Sequence, residues 1–232
     1  METYRCHNCP TRRLCLAAGL EGNALTALSE CILASAPMNR SDYLYRAGDP
    51  AAHCFVVRSG AYKTFVLSGD GEVHVTGFHF PGELIGLSGQ ADGIHHDTAV
   101  ALETSTACRL ALDEVPTLWQ IGSGPSLLRL MGLGERMGAE HHMLLSRPAA
   151  DARVAGFLVA LGRRMKRQGR SETSLPMPMS RTDLANHLGM TLECLSRVLA
   201  RFSKAGLITA TRTRITQEDP QRLDALAGHL DA

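Results

Sequence analysis

The sequence predicts an α+β protein, in which an antiparallel β-roll precedes a long helix and a C-terminal winged helix-turn-helix. Three observations support this prediction. In the first half, short runs rich in Val, Phe and Tyr alternate with glycine-containing turns. An apolar heptad pattern follows, within a helical stretch from about residue 116 to residue 146. Near the C-terminus, two amphipathic segments of helical period are separated by a single glycine.

The β-roll prediction depends on four runs with strand-like composition, which are His53–Arg58, Tyr62–Leu67, Glu72–Phe80 and Thr106–Leu112. The sequence Ser-Gly-Asp-Gly at 68–71 is typical of a hairpin turn between two of them. A helix is predicted before the roll, from about residue 20 to residue 32, because Leu25, Leu28 and Ile32 recur at helical spacing.

Composition limits the possible classes of protein. The 232 residues suffice for one large domain or two modest ones, and no apolar run approaches the roughly 20 residues that cross a bilayer. The N-terminus lacks the apolar core of a signal peptide, so we expect a cytoplasmic protein without a membrane partner. In that compartment, seven cysteines indicate free thiols or metal ligands.

The charge is distributed unevenly, although the net charge is only +1. Residues 147–214 contain 13 Arg and Lys against four acids, which gives +9. The remainder contains 11 basic and 19 acidic residues, which gives −8. This asymmetry indicates a polyanion-binding module attached to an acidic domain.

The long helix, predicted as one element from about Pro116 to Ser146, carries an apolar stripe at spacings of 3 and 4. We predict that this stripe is the seam of a homodimer, since a dimer pairs two copies of the basic module. An amphipathic helix packed on its own β domain is the alternative. The predicted seam consists of Leu127, Leu130, Met137, His141 and Leu144, with Gly134 between them.

The basic module begins with a helical stretch from about residue 150 to residue 168, followed by a loop over 171–179. Ser180 and Thr191 are candidate N-caps of two helices that flank Gly189. The inner face of the second helix is predicted to consist of Leu192, Leu195, Leu199 and Phe202. Residues 209–216 are predicted to form a hairpin wing.

The opposite face of the second helix has the chemistry of base reading. Arg197 can donate two hydrogen bonds to guanine, Glu193 can accept from a cytosine amino group, and Ser196 suits either partner. The alternative is a solvated face with a weak Glu193–Arg197 pair. Candidate phosphate contacts are Arg163, Arg164, Lys166, Arg167, Arg181, Arg201 and Lys204.

Cysteines at the N-terminus follow the spacing Cys6-x2-Cys9-x5-Cys15, which indicates a metal or iron–sulfur site in need of a fourth ligand. On spacing alone, Cys108 is either that ligand or a buried strand residue. Cys31, Cys54 and Cys194 are expected to be buried small apolar residues. No phosphate loop, paired carboxylates or nucleophile constellation is present, so we do not expect an enzyme.

The order of elements resembles the CRP/FNR family of bacterial regulators over nearly the whole chain. Five stretches resemble its oxygen-responsive FNR branch: Arg46-Ala-Gly-Asp49, Arg58-Ser-Gly60, Thr76-Gly-Phe-His79, Ala101-Leu-Glu-Thr-Ser105 and Glu193-x-x-Ser196-Arg197. The resemblance implies a 4Fe–4S cluster on Cys6, Cys9, Cys15 and Cys108, with zinc as the alternative. It also implies reading of TTGAT inverted repeats by Glu193, Ser196 and Arg197, a cyclic-nucleotide-binding-domain-like roll, and an activator that contacts RNA polymerase.

The resemblance suggests four segments. These are a cluster-binding segment over 1–19, a β-roll sensor over 20–115, a dimerisation helix over 116–147 and a DNA-binding domain over 148–232. Nitric oxide or general redox sensing through the same thiols is the alternative to oxygen sensing.

Two departures from the family pattern stand out. No arginine for a cyclic-nucleotide phosphate occurs between Arg58 and Arg109, and Asp97 stands where it is expected, so cyclic nucleotide binding is not predicted. The acidic residue that the branch commonly carries at or beside the dimer seam has no counterpart in the predicted stripe, where Gly134 and His141 stand.

Overall fold

The computed structural model describes residues 6–228. Residues 1–5 and 229–232, at the outer ends of the first and last predicted segments, lie outside the described part. The chain divides into two compact units, residues 1–135 and 136–232. None of the helices within 6–228 has the length and apolar character that spanning a bilayer requires.

The first unit contains two four-stranded sheets within its described residues. One sheet has the order β1-β8-β3-β6, formed by Ile32–Ala34, Thr106–Ala111, His53–Ser59 and Leu84–Ile85. The other has the order β2-β7-β4-β5, formed by Tyr43–Tyr45, Thr98–Ala101, Tyr62–Leu67 and Val73–His79. The pairings are antiparallel, which confirms the predicted roll.

The four predicted strands are present, together with four short ones that were not predicted from the sequence. Strand β7 shows the reason, because all four of its residues are buried and no alternation marks it. The hairpin between β4 and β5 turns through Gly71, whose φ of 83° favours glycine.

Three helices accompany the sheets, namely α1 (Gly22–Cys31), α2 (Val115–Gln120) and α3 (Gly124–Ser146). Three short 3₁₀ turns lie at Cys6–Asn8, Ser88–Gln90 and Leu112–Glu114. The single helix predicted from residue 116 to residue 146 is wrong, because the chain breaks at 121–123, where Gly122 has a φ of 82°. Heptad spacing does not reveal such a break, since it follows side chains and not backbone angles.

The second unit contains α4 (Ala150–Arg167), α5 (Arg181–His187), α6 (Leu192–Lys204) and α7 (Pro220–Ala227). Its three strands, β9 (Ser174–Pro176), β10 (Ile208–Ala210) and β11 (Arg214–Gln217), form one sheet in the order β10-β11-β9. The predicted wing is therefore present. The loop predicted over 171–179 is partly wrong, because it supplies the third strand of that sheet.

Candidate metal centre and nucleic-acid interface

Four cysteines from distant parts of the sequence open onto one cavity in the first unit. Three come from the N-terminal segment, and Cys108 comes from β8, where it pairs in register with Val56 of β3 and Ala34 of β1. The cavity is lined by Cys6, Cys9, Thr11, Cys15, Leu16, Ala17, Ile32, Val56, Val57 and Cys108. Its walls are largely apolar apart from the sulfur atoms, so a bound group would be shielded from water.

A series of tight turns positions the N-terminal thiols. The Cys9 amide donates to the Cys6 carbonyl at 3.2 Å, and the Arg12 amide donates to the Cys9 carbonyl at 3.1 Å. The segment is anchored to α1, since the Cys6 amide donates to Ser29 Oγ at 3.2 Å. Cys9 Sγ lies 3.0 Å from Thr11 Oγ1, within hydrogen-bonding distance.

Burial makes two of the thiols weak acids. It raises the pKa of Cys15 to about 11, and it raises that of Cys108 to about 12, with neighbouring cysteines adding to both shifts. Arg58 acts in the opposite direction on the pKa of Cys108, because its cation favours the thiolate. These two thiols therefore carry protons at neutral pH, and a metal that binds them must displace those protons.

The cavity does not have the geometry of a single-ion site. Within residues 6–228, no three Cys, His, Asp or Glu side chains are arranged to hold one metal ion. The thiols stand around a shared space instead. Of the other cysteines, Cys54 is buried in the core, and none of Cys31, Cys54 and Cys194 lines this cavity.

Side chains at the start of α3 hold the backbone of the cysteine segment. Ser123 Oγ donates to the Leu16 carbonyl at 2.7 Å, and Ser126 Oγ donates to the Ala18 carbonyl at 3.1 Å. The Arg129 guanidinium donates to the Leu14 carbonyl at 2.8 Å. These three residues were not predicted from the sequence, because nothing in a helical pattern marks a partner more than 100 positions away.

In the second unit, α6 begins at a clear cap, since Thr191 accepts a hydrogen bond from the Cys194 amide at 3.1 Å. Its inner face differs from the prediction at one position. Leu192 is 45% exposed, whereas Val198 is buried. The buried side chains of the helix are Leu195, Val198, Leu199 and Phe202.

The three predicted base-reading residues lie exposed on the outer face of α6. Among the residues that the structure describes, neither Glu193 nor Arg197 has a charged partner, so the pair that the alternative of a solvated face requires is not formed. Ser196 Oγ donates to the Leu192 carbonyl at 2.8 Å, a bond within the helix that it must exchange in order to contact a base.

Several candidate phosphate contacts are engaged elsewhere. Arg164 is buried, and Arg181 is half-buried with its guanidinium donating to the Thr211 carbonyl at 2.9 Å. Arg201 pairs with Asp151. Arg163 lies 3.4 Å from Asp224, and Lys166 lies 2.8 Å from Glu172. Lys204 remains exposed, so it is the simplest phosphate contact of those predicted.

The predicted dimer seam on α3 is corrected by burial. Leu127 and Leu130 are 6% and 2% exposed, and both belong to the core of the first unit beside Leu16 and Leu118. Leu144 is buried as well. Three of the five residues of the predicted seam thus pack within their own chain, as the alternative interpretation held for this helix.

His141 and Met137 complete this correction. The ring of His141 stacks on His187 of α5 with centroids 3.9 Å apart, and its Nε2 lies 2.7 Å from the His187 carbonyl oxygen. Burial lowers the pKa of His141, which favours the neutral ring in this stack. Met137 is half-buried.

A second stripe on α3, one residue along, is exposed. Leu128 and Met131 are 54% and 43% exposed, and Leu145 is 39% exposed. Their spacing of 3 and 4 continues through polar and small residues. We call this the exposed stripe, and it consists of Leu128, Met131, Glu135, Gly138, His142 and Leu145.

Comparison with known proteins gives the same architecture. A model of the Crp-like helix-turn-helix domain matches residues 152–226, and a model of the cyclic nucleotide-binding domain matches residues 36–121. The transcriptional activator protein Anr of Pseudomonas aeruginosa is 37% identical over 225 residues, which cover 96% of this chain and 92% of that protein. The chain belongs to the CRP/FNR family.

Other relatives place this CRP/FNR protein in the FNR branch. The fumarate and nitrate reduction regulatory protein of Escherichia coli is 34% identical over 229 residues, covering 97% of this chain and 90% of that one. The structure of FixK2 from Bradyrhizobium japonicum aligns with a TM-score of 0.72 and 28% identity, over 84% of this chain and 97% of its own. The chain is thus a DNA-binding transcription regulator, and its relatives are regulators and not enzymes.

The roll of this CRP/FNR regulator holds a polar network around Asp97. Asp97 accepts hydrogen bonds from the Tyr45 hydroxyl at 3.2 Å and from Ser88 Oγ at 2.8 Å. Burial and the neighbouring Asp97 carboxylate raise the pKa of Tyr45, so its hydroxyl stays a donor. The buried ring of His95 stacks on Tyr45 with centroids 3.8 Å apart.

Proposed function

We propose that this chain is an oxygen-responsive transcription regulator, in which Cys6, Cys9, Cys15 and Cys108 hold a 4Fe–4S cluster and a homodimer binds TTGAT-type inverted repeats. The observation that carries the proposal is the cavity shared by these four thiols. Sequence places Cys108 more than 90 residues from the other three, so their common cavity is not a result of proximity along the chain.

The donor set fits an iron–sulfur cluster better than it fits zinc. A structural zinc needs all its ligands about 2.3 Å from one point, whereas each cysteine of a cluster binds a different iron atom. The four thiols line a cavity without converging on one point, and this arrangement suits a cluster, in which each cysteine binds its own iron atom. When bound, the cluster supplies redox chemistry that responds to oxygen.

The protein side chains contribute shielding and charge around that cavity. Leu16, Val56 and Val57 form apolar walls that keep water from the sulfur atoms. The Arg58 cation near Cys108 favours thiolate over thiol at this ligand. The apolar walls act in the opposite sense on free thiols, because burial raises the pKa of Cys15 and Cys108, so these two thiols become thiolates only when a cationic group binds them.

For the dimer, we propose that the exposed stripe of α3 packs against its counterpart in a second copy. The stripe offers apolar side chains at heptad spacing, which suits a two-stranded seam. Glu135 lies in its middle, and a carboxylate buried against its twin weakens association. This is the acidic residue that the predicted seam lacked, and it makes the dimer sensitive to small changes.

We do not extend cyclic nucleotide binding to this chain. The domain match concerns the fold, and the resemblance implies that Asp97 stands where a nucleotide phosphate would require a cation. The names of several relatives describe transcriptional activators, and on that basis we propose that the regulator activates transcription through RNA polymerase.

The proposal is tested by purifying the protein without oxygen and recording its absorption spectrum with iron and sulfide analysis. We expect a broad band near 400 nm, as iron–sulfur proteins show, which changes when air is admitted. A colourless protein containing zinc would contradict the cluster. A cluster that is indifferent to oxygen but lost with nitric oxide would favour the alternative signal.

Replacing each of the four ligands by serine is the matching mutational prediction. Cys108→Ser is the decisive variant, because its sulfur lies on β8, away from the N-terminal motif, and one missing ligand should remove most of the bound iron. Cys194→Ser and Cys31→Ser are the controls, and both should keep a full cluster spectrum. If Cys108→Ser keeps one too, the fourth ligand is assigned wrongly.

A further inference from the structure

We infer that Ser123, Ser126 and Arg129 form a latch that couples the ligation of Cys15 to the start of α3. The three side chains donate to the carbonyls of Leu16, Ala18 and Leu14, which flank Cys15. They are positioning residues, since they touch the backbone of the ligand segment and not the ligands. The inference rests on the proposed function, because it assigns the route by which the thiol site acts on the helix.

The carbonyls of residues 14–18 accept hydrogen bonds from two sources, the local turns and the latch. The carbonyls of Cys15 and Ala17 accept from the amides of Ala18 and Leu20, both at 3.1 Å, so the local turns satisfy them. The carbonyls of Leu14, Leu16 and Ala18 accept hydrogen bonds from the three latch side chains instead. Leu16 is 1% exposed and Ser123 is fully buried, so water does not replace that bond without opening the core.

The same turns of α3 carry both the latch and the exposed stripe. Arg129 directly follows Leu128 and lies two residues before Met131, while Leu127 and Leu130 pack in the core beside Leu16. A change in the backbone around Cys15 therefore reaches Leu128 and Met131, the part of the exposed stripe within the first unit, through the same helical turns. Ligation of Cys15 holds the backbone of residues 14–18 in the conformation in which the three hydrogen bonds form. Loss of ligation allows this backbone to move and the hydrogen bonds to break.

The test uses the double variant Ser126→Ala/Arg129→Gln in the full-length chain, which spares the buried Ser123. The matched control is Ser146→Ala/Arg136→Gln on the same helix. Within residues 6–228, the Ser146 hydroxyl donates only to the Met143 carbonyl of its own helix, and Arg136 pairs with Glu140 at 3.4 Å. Thermal unfolding of both variants establishes that each is folded.

Two quantities are measured. The first is the rate at which iodoacetamide alkylates Cys15 in metal-free protein, followed by mass spectrometry. The latch variant should react at least about fivefold faster than the control, because two of the three side-chain hydrogen bonds of the latch are removed. The second is the ratio of DNA affinities between the cluster-loaded and cluster-free forms, which should shrink by at least about fivefold in the latch variant.

An alkylation rate equal to that of the control would overturn the latch, and so would an unchanged affinity ratio in a variant that holds its cluster. A different result would contradict the proposed function, namely a wild-type chain that assembles no cluster or whose DNA affinity does not depend on the cluster. The alkylation rates would then still show whether the latch side chains restrain the backbone around Cys15.

Discussion

Replacing Arg197 by alanine should nearly eliminate sequence-specific DNA binding while leaving the fold intact. Arg197 is exposed on α6, and a bidentate contact with guanine typically contributes about 1–3 kcal/mol to discrimination. A dimer places two copies on one inverted repeat, so the loss should reach roughly 30-fold or more in affinity. Competition binding on a TTGAT inverted repeat and on a scrambled duplex measures this discrimination directly.

Lys204→Ala is the matched control, because it removes an exposed cation near the C-terminal end of the same helix. Its affinity should fall about equally on both duplexes, and the salt dependence should weaken by roughly one unit for each phosphate that a subunit no longer neutralises. If Arg197→Ala also weakens both duplexes equally, Arg197 contacts phosphate, and the orientation proposed for α6 is wrong.

Introducing a glutamate at Met131 should convert the dimer into monomers. The side chain is 43% exposed in the single chain and lies in the exposed stripe, where a second copy would bury it beside Glu135. Burying an unpaired charge costs about 3–5 kcal/mol, which corresponds to a dissociation constant at least about 100-fold weaker. Sedimentation equilibrium under anaerobic conditions gives this constant.

The control is Leu67→Glu, which adds the same charge at an apolar residue that is 62% exposed at the end of β4. This variant should remain a dimer. The outcome that contradicts the corrected seam is a dimeric Met131→Glu protein together with a monomeric Met137→Glu protein, since Met137 belongs to the seam that the heptad pattern first predicted.

The sequence points to candidate ligands and candidate base-reading residues, but not to the contacts that hold them in place. Residue types and spacing singled out Cys6, Cys9 and Cys15, and the resemblance added Cys108. The residues that hold this segment, such as Ser123 and Arg129, could not be predicted. They act through main-chain carbonyls, so any donor of suitable length serves, and no pattern of residue types distinguishes them.

Helix α3 shows what an apolar period in the sequence cannot predict. A heptad pattern identifies which face of a helix is apolar, but not which surface covers that face. In α3 the stronger stripe, through Leu127 and Leu130, is covered by the core of its own unit. The weaker stripe through Leu128 and Met131 is exposed in the single chain, and only burial values separate two stripes that differ by one residue.

The third strand of the wing has a consequence for the thermodynamics of DNA binding. Residues 214–216 of β11 pair with β9, and residues 215–217 pair with β10, whereas a two-stranded hairpin alone is marginally stable in water. Arg214 adds a hydrogen bond from its guanidinium to Ser174 Oγ at 2.7 Å. The wing is therefore ordered in the free protein. If it contacts DNA, association should involve no folding of this segment, and the heat capacity change should reflect only the surfaces brought into contact.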